Sequence, residues 1–161
     1  MSNFEKVGEF HKLFQHPKYD VLNKTIFESN PKLVDLRVGL IEEEFNELKD
    51  AIKNKDFVEV ADALTDMLYV IYGAGHAFGI NLDKSFAKVH DSNMTKACLI
   101  NKEQEAIDTI NHIKSCEPRY KQPEYKLSDD GKYYIIYDKE TGKILKNKYY
   151  CPVDLKYIVD E

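Results

Sequence analysis

Apolar residues recur at helical spacing through the first third of the chain. The spacing predicts a helix over residues 2–15 that ends before His16-Pro17, and a possible short helical turn over residues 21–28. A long helix then starts at Pro31, because proline suits the first helical position. The apolar side of the long helix consists of Leu33, Leu36, Leu40, Ile41, Phe45, Leu48 and Ile52.

A third helix is predicted after a very short turn. Residues 54–56 form the turn, and Asp56 can cap a helix from Phe57 to about Gly75. A link this short makes the two helices antiparallel neighbours. Because most of the third helix is apolar, we expect it to be buried. Its apolar residues are Phe57, Val58, Val60, Ala61, Ala63, Leu64, Met67, Leu68, Val70 and Ile71.

Two more helices are predicted after a break at residues 79–83, one to about Ala97 and one over residues 101–116. From Glu117 the chain gains prolines and tyrosines. Two β-like runs, 132–137 and 143–150, flank a turn at residues 138–142, and residues 129–131 form another turn. We therefore predict an all-α antiparallel helical bundle over residues 1–116, with a C-terminal extension over 117–161 that carries a small β-hairpin appendage.

Composition narrows the class of protein. The 161 residues, 43% hydrophobic and 32% charged, are typical of one globular domain, and the net charge of −5 argues against nucleic-acid binding. The longest run without Asp, Glu, Lys or Arg, residues 67–82, is too short to cross a membrane, and the acidic N-terminus does not resemble a signal peptide. Three cysteines without CxxC spacing fit a reducing cytoplasm.

Acidic residues form a stripe on the third helix. At about 100° per residue, Glu59, Asp62 and Asp66 fall within roughly 60° of one another. On a buried helix, such carboxylates need basic partners, raised pKa values or a metal cation.

The preceding helix carries a second acidic face. Glu44 and Glu47 are three positions apart, and Glu43 lies four positions before Glu47. Two facing acidic stripes repel each other unless a divalent cation lies between them, and oxygen ligands without Cys or His favour Mg²⁺ or Mn²⁺. Glu43 and Asp66 are then surplus acids that can accept a proton from a bound water. A solvated charged face is the alternative for Glu42, Glu43 and Asp50.

Other chemistries have less support. No Glu is followed by His at the third position, as a di-iron bundle requires, and the chain has neither a GxSxG motif nor a P-loop. His76 is expected to be a packed core residue. A carboxylate-held Mg²⁺ in a helical cleft suits phosphate-ester or phosphoanhydride chemistry.

These residues resemble the all-α nucleoside triphosphate pyrophosphatases, which include MazG-like proteins and relatives of phosphoribosyl-ATP pyrophosphohydrolase. The family pattern is Glu-x-x-Glu followed by Glu-x-x-Asp, which Glu44-x-x-Glu47 and Glu59-x-x-Asp62 match. The resemblance covers roughly residues 1–97 and includes three further segments, residues 37–41, 66–73 and 89–96.

The resemblance implies Mg²⁺-dependent hydrolysis of a nucleoside triphosphate between the α and β phosphates, giving the monophosphate and pyrophosphate. Glu44, Glu47, Glu59 and Asp62 would be catalytic metal ligands, and Glu43 would orient or deprotonate the water, unless it is a solvated helix residue. Asn93 and Lys96 match sugar- or phosphate-contacting positions, with helix-end capping as the alternative. Arg37 and Asp66 are further candidates for substrate binding. For Arg37, an ion pair with one of the nearby Glu residues is an equally good alternative.

The resemblance also implies a homodimer or homotetramer. Phe4, Phe10, His11 and Phe14 are candidates for an interface or a base pocket, with core packing preferred for the phenylalanines. In the tail, Lys143, Lys146 and Lys148 could bind phosphate or could protect the edge of a strand against aggregation, and we prefer the second interpretation.

Two alternatives stay open. One changes the substrate to phosphoribosyl-ATP or another non-canonical nucleotide. The other is a non-enzymatic helical interaction protein whose acidic cleft docks a basic segment.

Overall fold

The computed structural model describes residues 1–160. The chain is mostly helical, with a small antiparallel sheet. The helices are α1 (Asn3–Leu13), α2 (Ile26–Ser29), α3 (Pro31–Asn54), α4 (Phe57–Phe78), α5 (Leu82–Met94), α6 (Glu103–Cys116) and α7 (Tyr157–Asp160). The strands are β1 (Cys98–Leu99), β2 (Pro123–Leu127) and β3 (Tyr133–Asp138), and a 3-10 turn covers Ile100–Lys102. No helix among residues 1–160 has the length and apolar character needed to traverse a bilayer.

The chain folds into two compact units. The first consists of Met1–Phe86 together with the C-terminal residues from Leu155, and the second is Ala87–Asp154. The sequence-predicted boundary between residues 116 and 117 falls inside the second unit, because α6 packs against β2 and β3.

In the first unit, the helix ends follow the sequence signals. Ser2 caps α1 through a reciprocal pair of hydrogen bonds with Glu5, and the Asn30 side chain accepts a hydrogen bond from the Leu33 N–H at the start of α3. Helix α4 packs against α1 and α3. One buried cluster consists of Ile26, Leu33 and Ala77, with Val34 and Phe78 packed against it.

In the second unit, α6 covers the sheet, whose strand order is β1-β3-β2. The buried cluster between them consists of Cys98, Ala106, Ile110, Ile113, Ile136 and Leu145. The observed hairpin joins β2 to β3 through the predicted turn at residues 129–131, where Gly131 has a φ of 70°.

The predicted pairing of 132–137 with 143–150 forms only beside the turn, where two backbone hydrogen bonds link Asp138 to Lys143 and Leu145 to Ile136. Beyond the turn at residues 138–142, the second segment makes only one isolated β-bridge, between Tyr137 and Ile144. Strand β3 instead pairs with β1 and β2 on its two sides. Leu145 still donates its N–H to the Ile136 carbonyl oxygen (2.9 Å) while its side chain packs in the core. Asn147 hydrogen-bonds to the chain just after α5, and this draws the residues after Leu145 away from the sheet.

Candidate active site

A tight connection sets the register of the two acidic helices. Lys55 adopts the left-handed conformation (φ 58°, ψ 33°) and ends α3. The side chain of Asp56 then accepts hydrogen bonds from the N–H groups of Val58 (3.0 Å) and Glu59 (3.2 Å), which starts α4 as predicted. The chain thus reverses within two residues, and α3 and α4 pack side by side over much of their length.

Glu44 lies at the centre of the acidic residues. Its side chain is half-buried, and its Oε2 atom is buried without a hydrogen-bond partner. Burial raises the pKa of the Glu44 carboxyl, and the negative charges of Glu47, Asp66, Glu43 and Asp62 raise it further. The structure therefore brings acids from both helices together around Glu44, as the two stripes predict.

The remaining predicted ligand, Glu59, lies in the first turn of α4, three residues before Asp62. Its carboxylate is exposed, and so are those of Asp62 and Asp66. In the first helical turn, a negative charge also interacts favourably with the helix dipole.

The expectation that α4 and its carboxylates are buried is wrong for the single chain. Phe57 is 87% exposed and Val58 is 75% exposed, and Leu64 and Leu68 are also exposed. Helices α1 and α3 cover only one side of α4, where its buried residues are Ala63, Gly73, Gly75, His76 and Ala77.

The carboxylate oxygens of the acidic residues are the kind of ligand that a hard cation prefers. Among residues 1–160, no three carboxylate, imidazole or thiol groups converge closely enough to hold a metal ion as they stand. However, the Oε2 atom of Glu44 is buried without a hydrogen-bond partner, and the charges of other carboxylates act on the Glu44 side chain. Mg²⁺ and Mn²⁺ accept such oxygen donors, so the residues present suit either ion.

Arg37 lies seven residues before Glu44 on α3, which is about 10.5 Å along the helix axis. It is only 5% exposed, and its Nε and Nη2 atoms have no hydrogen-bond partner. Burial lowers the pKa of its guanidinium. The ion pair with a nearby Glu that the sequence left open is not formed at these two nitrogens.

Two histidines accompany Arg37. His11 on α1 is 2% exposed, and its Nδ1 atom is 2.8 Å from the carbonyl oxygen of Pro17. His76 on α4 is 4% exposed, its Nε2 atom is 2.8 Å from the carbonyl oxygen of Phe4, and its ring stacks on Phe4 with centroids 3.8 Å apart. His76 is therefore the packed core residue that the sequence predicts.

The α1 phenylalanines divide into two groups. Phe4 is buried, as predicted for core packing. Phe10 and Phe14 are 37% and 58% exposed, so core packing is wrong for them, and their rings contact each other with centroids 4.4 Å apart.

Asn93 and Lys96 belong to the second compact unit. Asn93 lies in the last turn of α5, where its carbonyl oxygen accepts a hydrogen bond from the N–H of Lys96 (3.1 Å). The side chain of Lys96 extends toward Tyr150, with its Nζ atom 5.9 Å from the ring centroid. Sequence reasoning did not identify Tyr150, because its neighbour Lys96 lies 54 residues earlier in the chain and only the tertiary fold brings them together.

The fold and this site define a mostly helical protein whose candidate active site is built from carboxylates on two antiparallel helices. The family model described as phosphoribosyl-ATP pyrophosphohydrolase matches residues 7–93, a range that includes both acidic helices. An uncharacterized protein of Acanthamoeba polyphaga mimivirus is 31% identical, over 92% of each chain. The chain belongs to the phosphoribosyl-ATP pyrophosphohydrolase family, and this membership indicates a nucleotide pyrophosphohydrolase, a hydrolase of phosphoanhydride bonds.

Proposed function

We propose that the protein is a Mg²⁺-dependent nucleoside triphosphate pyrophosphohydrolase of the MazG-like type. It cleaves a ribo- or deoxyribonucleoside triphosphate between the α and β phosphates and releases the monophosphate and pyrophosphate. The observation that carries this proposal is the buried, unpartnered Oε2 of Glu44, surrounded by acids from two helices inside the range that matches the family model.

The acidic residues divide the work of the proposed reaction. Glu44, Glu47, Glu59 and Asp62 hold Mg²⁺, which Mn²⁺ can replace. The bound metal supplies charge neutralisation on the phosphates and a lowered pKa for the attacking water. Glu43, four residues before Glu47 and on the same face of α3, would orient that water and take its proton, while the bond between the α phosphorus and the bridging oxygen breaks and pyrophosphate leaves.

Substrate binding falls to another set of side chains. Arg37 is assigned to the substrate because its Nε and Nη2 atoms, although buried, have no hydrogen-bond partner within the chain. Asp66 has an exposed carboxylate whose charge acts on Glu44. Asn93 and Lys96 are assigned to the sugar and phosphates by the match of their positions to the family motif. Three free cysteines are compatible with activity in a reducing cytoplasm.

A second copy of the chain completes the helical bundle in this proposal. Val38, Phe45 and Ile52 on α3 are spaced by seven residues and are exposed by 49%, 50% and 59%. Phe57, Leu64 and Ile71 on α4 repeat the same spacing and are also exposed. Stripes of this kind, here called the heptad stripes, are typical of surfaces that pack against other helices. The protein is therefore proposed to act as a homodimer or homotetramer.

Two classes of substrate are compatible with the site, a nucleoside triphosphate and phosphoribosyl-ATP. The description of the matching family model favours phosphoribosyl-ATP as the alternative to a nucleoside triphosphate. Both have a phosphoanhydride bond between α and β phosphates, so the acidic site serves either one.

Product analysis tests the proposal and separates the substrates. The protein is incubated with Mg²⁺ and, in parallel, with each common nucleoside triphosphate, dUTP and phosphoribosyl-ATP. We expect one of them to yield a monophosphate and pyrophosphate rather than a diphosphate and phosphate. If no substrate is turned over with either Mg²⁺ or Mn²⁺, the enzymatic proposal fails and a helical interaction protein that docks a basic segment becomes the better explanation.

A further inference from the structure

The second compact unit carries a cluster of positive charge of its own. The Nζ atom of Lys146 lies 4.7 Å from the ring centroid of Tyr150, and the Nζ atom of Lys96 lies 5.9 Å from the same centroid. Both distances are within the range of cation–π interactions. The two ammonium groups and the ring are called the Lys96–Lys146–Tyr150 cluster below.

A network of hydrogen bonds fixes this cluster. Asn147 is 7% exposed, and its Nδ2 group donates to the carbonyl oxygens of Thr95 (2.8 Å) and Ala97 (3.1 Å). The N–H of Cys151 donates to Thr95 Oγ1 (3.0 Å). These bonds tie residues 147–151 to the chain at the C-terminal end of α5, so that Lys96 and Lys146 both lie near Tyr150.

Ser92 anchors the aromatic ring. It is 8% exposed, and its Oγ atom lies 3.0 Å from the hydroxyl oxygen of Tyr150 and 2.8 Å from the carbonyl oxygen of Cys151. The carbonyl oxygen of Cys151 can only accept, so the single Ser92 O–H donates to it, and Ser92 Oγ accepts from the Tyr150 hydroxyl. The ring is thus held in place, and the cluster offers its two ammonium groups to a ligand.

The charge of the cluster is not balanced by protein carboxylates. Among residues 1–160, neither Lys96 nor Lys146 forms an ion pair. Between Glu140 and Asp154 the chain carries Lys143, Lys146 and Lys148 and no acidic residue. The ring face attracts the ammonium groups but does not neutralise them. Two positive charges near one ring, neither paired with a carboxylate, favour the binding of a polyanion.

We propose that the Lys96–Lys146–Tyr150 cluster binds an oligophosphate, either inorganic pyrophosphate or the terminal phosphates of a nucleoside triphosphate. The lysines act as point charges for the phosphate oxygens, and the Tyr150 ring, anchored by Ser92, positions the two ammonium groups. The identity of the ligand rests on the proposed function, whereas the cluster itself lies entirely within residues 87–154. Lys146 is thereby assigned to phosphate binding, and no strand forms there whose edge it would protect.

Calorimetric titration of the full chain with inorganic pyrophosphate tests this proposal. EDTA is present, so that no metal can link pyrophosphate to the acidic helices. We expect saturable binding that Lys146→Ala weakens by about tenfold, since removal of one charge-assisted hydrogen bond from a binding site has that order of effect. Lys148→Ala is the matched control, because Lys148 lies in the same segment and its Nζ atom is 6.0 Å from a different ring, that of Tyr149.

Two further variants sharpen the test. Tyr150→Phe keeps the ring but removes the hydroxyl, and we expect it to weaken binding less than Lys146→Ala does. Glu44→Gln should leave pyrophosphate binding in EDTA unchanged although it removes hydrolysis.

The proposal is overturned if the wild-type chain does not bind pyrophosphate in EDTA, or if Lys146→Ala and Lys148→Ala weaken binding equally. Its failure is distinct from failure of the proposed function. A chain that hydrolyses a nucleotide but binds no pyrophosphate in EDTA refutes the cluster alone. A chain that binds pyrophosphate through Lys146 but hydrolyses no nucleotide supports the cluster and refutes the proposed activity.

Discussion

The guanidinium of Arg37 packs against the backbone of Gly73. A Cβ atom added to Gly73 would lie 3.1 Å from Arg37 Nη1 and 3.0 Å from His11 Nε2. Helices α1, α3 and α4 therefore meet at a point where a hydrogen atom fits and a methyl group does not. This close approach fixes how Arg37 sits between the helices.

Replacement of Gly73 by alanine should destabilise the protein. The added methyl group must displace the Arg37 or His11 side chain in a packed interior, which costs about 1–3 kcal/mol. Urea unfolding measures the difference in the free energy of unfolding.

Gly39→Ala is the matched control, because Gly39 is also helical but has no atom within 4 Å of the added Cβ. We expect Gly39→Ala to stabilise by about 0.5–1 kcal/mol. Equal effects of the two substitutions would contradict the packing argument.

Replacement of Arg37 by methionine should separate stability from substrate binding. The buried Nε and Nη2 atoms lack partners, so removal of the charge should raise the free energy of unfolding by about 1 kcal/mol or more. If Arg37 binds substrate, KM should rise in the same variant. A less stable variant with an unchanged KM would show that Arg37 is a structural residue only.

Replacement of Glu44 by glutamine should abolish activity while it stabilises the metal-free protein. Loss of activity should be about a hundredfold or more, because even outer-shell partners of metal ligands contribute 10–100-fold. The metal-free protein should melt at a higher temperature, since burial and four neighbouring acids disfavour the Glu44 charge. Glu42→Gln is the control, as it removes an exposed acid two positions away. Release of pyrophosphate and thermal melting in EDTA measure the two effects, and full activity in Glu44→Gln would remove Glu44 from the site.

Acid should weaken the packing around His11. Burial lowers the pKa of His11 from its ordinary value of 6.5, with a further contribution from the charge of Arg37, so the folded state binds its proton less readily than the unfolded state. The stability that His11 contributes is present above about pH 6.5 and is lost as the pH falls below it. Protonation of Glu44 has the opposite effect on stability: its pKa is raised in the folded state, so acid favours folding at this residue.

A variant isolates the contribution of His11. Urea unfolding of the wild-type chain and of His11→Gln is compared at about pH 7.5 and about pH 5.5. We expect the free energy of unfolding to fall less in the variant than in the wild type. The same pH dependence in both proteins would show that His11 does not couple protonation to folding.

The heptad stripes should hold copies of the chain together. We expect the wild-type protein to sediment as a dimer or tetramer, and Leu64→Lys to shift it toward the monomer, because a charge would enter an apolar interface. Leu13→Lys is the control, since Leu13 is 74% exposed on α1 outside the stripes. A monomeric wild-type chain at micromolar concentration would refute the proposed assembly.

The helical part of the fold was predictable from sequence because its signals are local. Ser2, Pro31 and Asp56 start three helices at the predicted positions, and Lys55 and Asp56 connect α3 to α4 as a short turn requires. The acidic residues then follow from helical periodicity alone. Two helices of known register and a two-residue link leave little freedom in how Glu44 meets Asp62 and Asp66.

The sheet was predicted less well, because strand pairing depends on distant residues. Residues 132–137 can pair with either neighbour in sequence, and periodicity does not distinguish 123–127 from 143–150. The choice depends on Leu145, which joins the α6 core, and on Asn147, which hydrogen-bonds to Thr95 and Ala97.

The sequence by itself determined the helices, the acidic stripes and the resemblance to a family of pyrophosphatases, since each is encoded in residues close together along the chain. The tertiary structure decided what surrounds the charges. It left two nitrogens of Arg37 and one oxygen of Glu44 buried without partners, and it exposed the apolar face of α4. It also brought Lys96 and Lys146, fifty residues apart in the chain, to the ring of Tyr150. Burial and counter-charge depend on every element packed around a residue, so they appear only when the whole chain is folded.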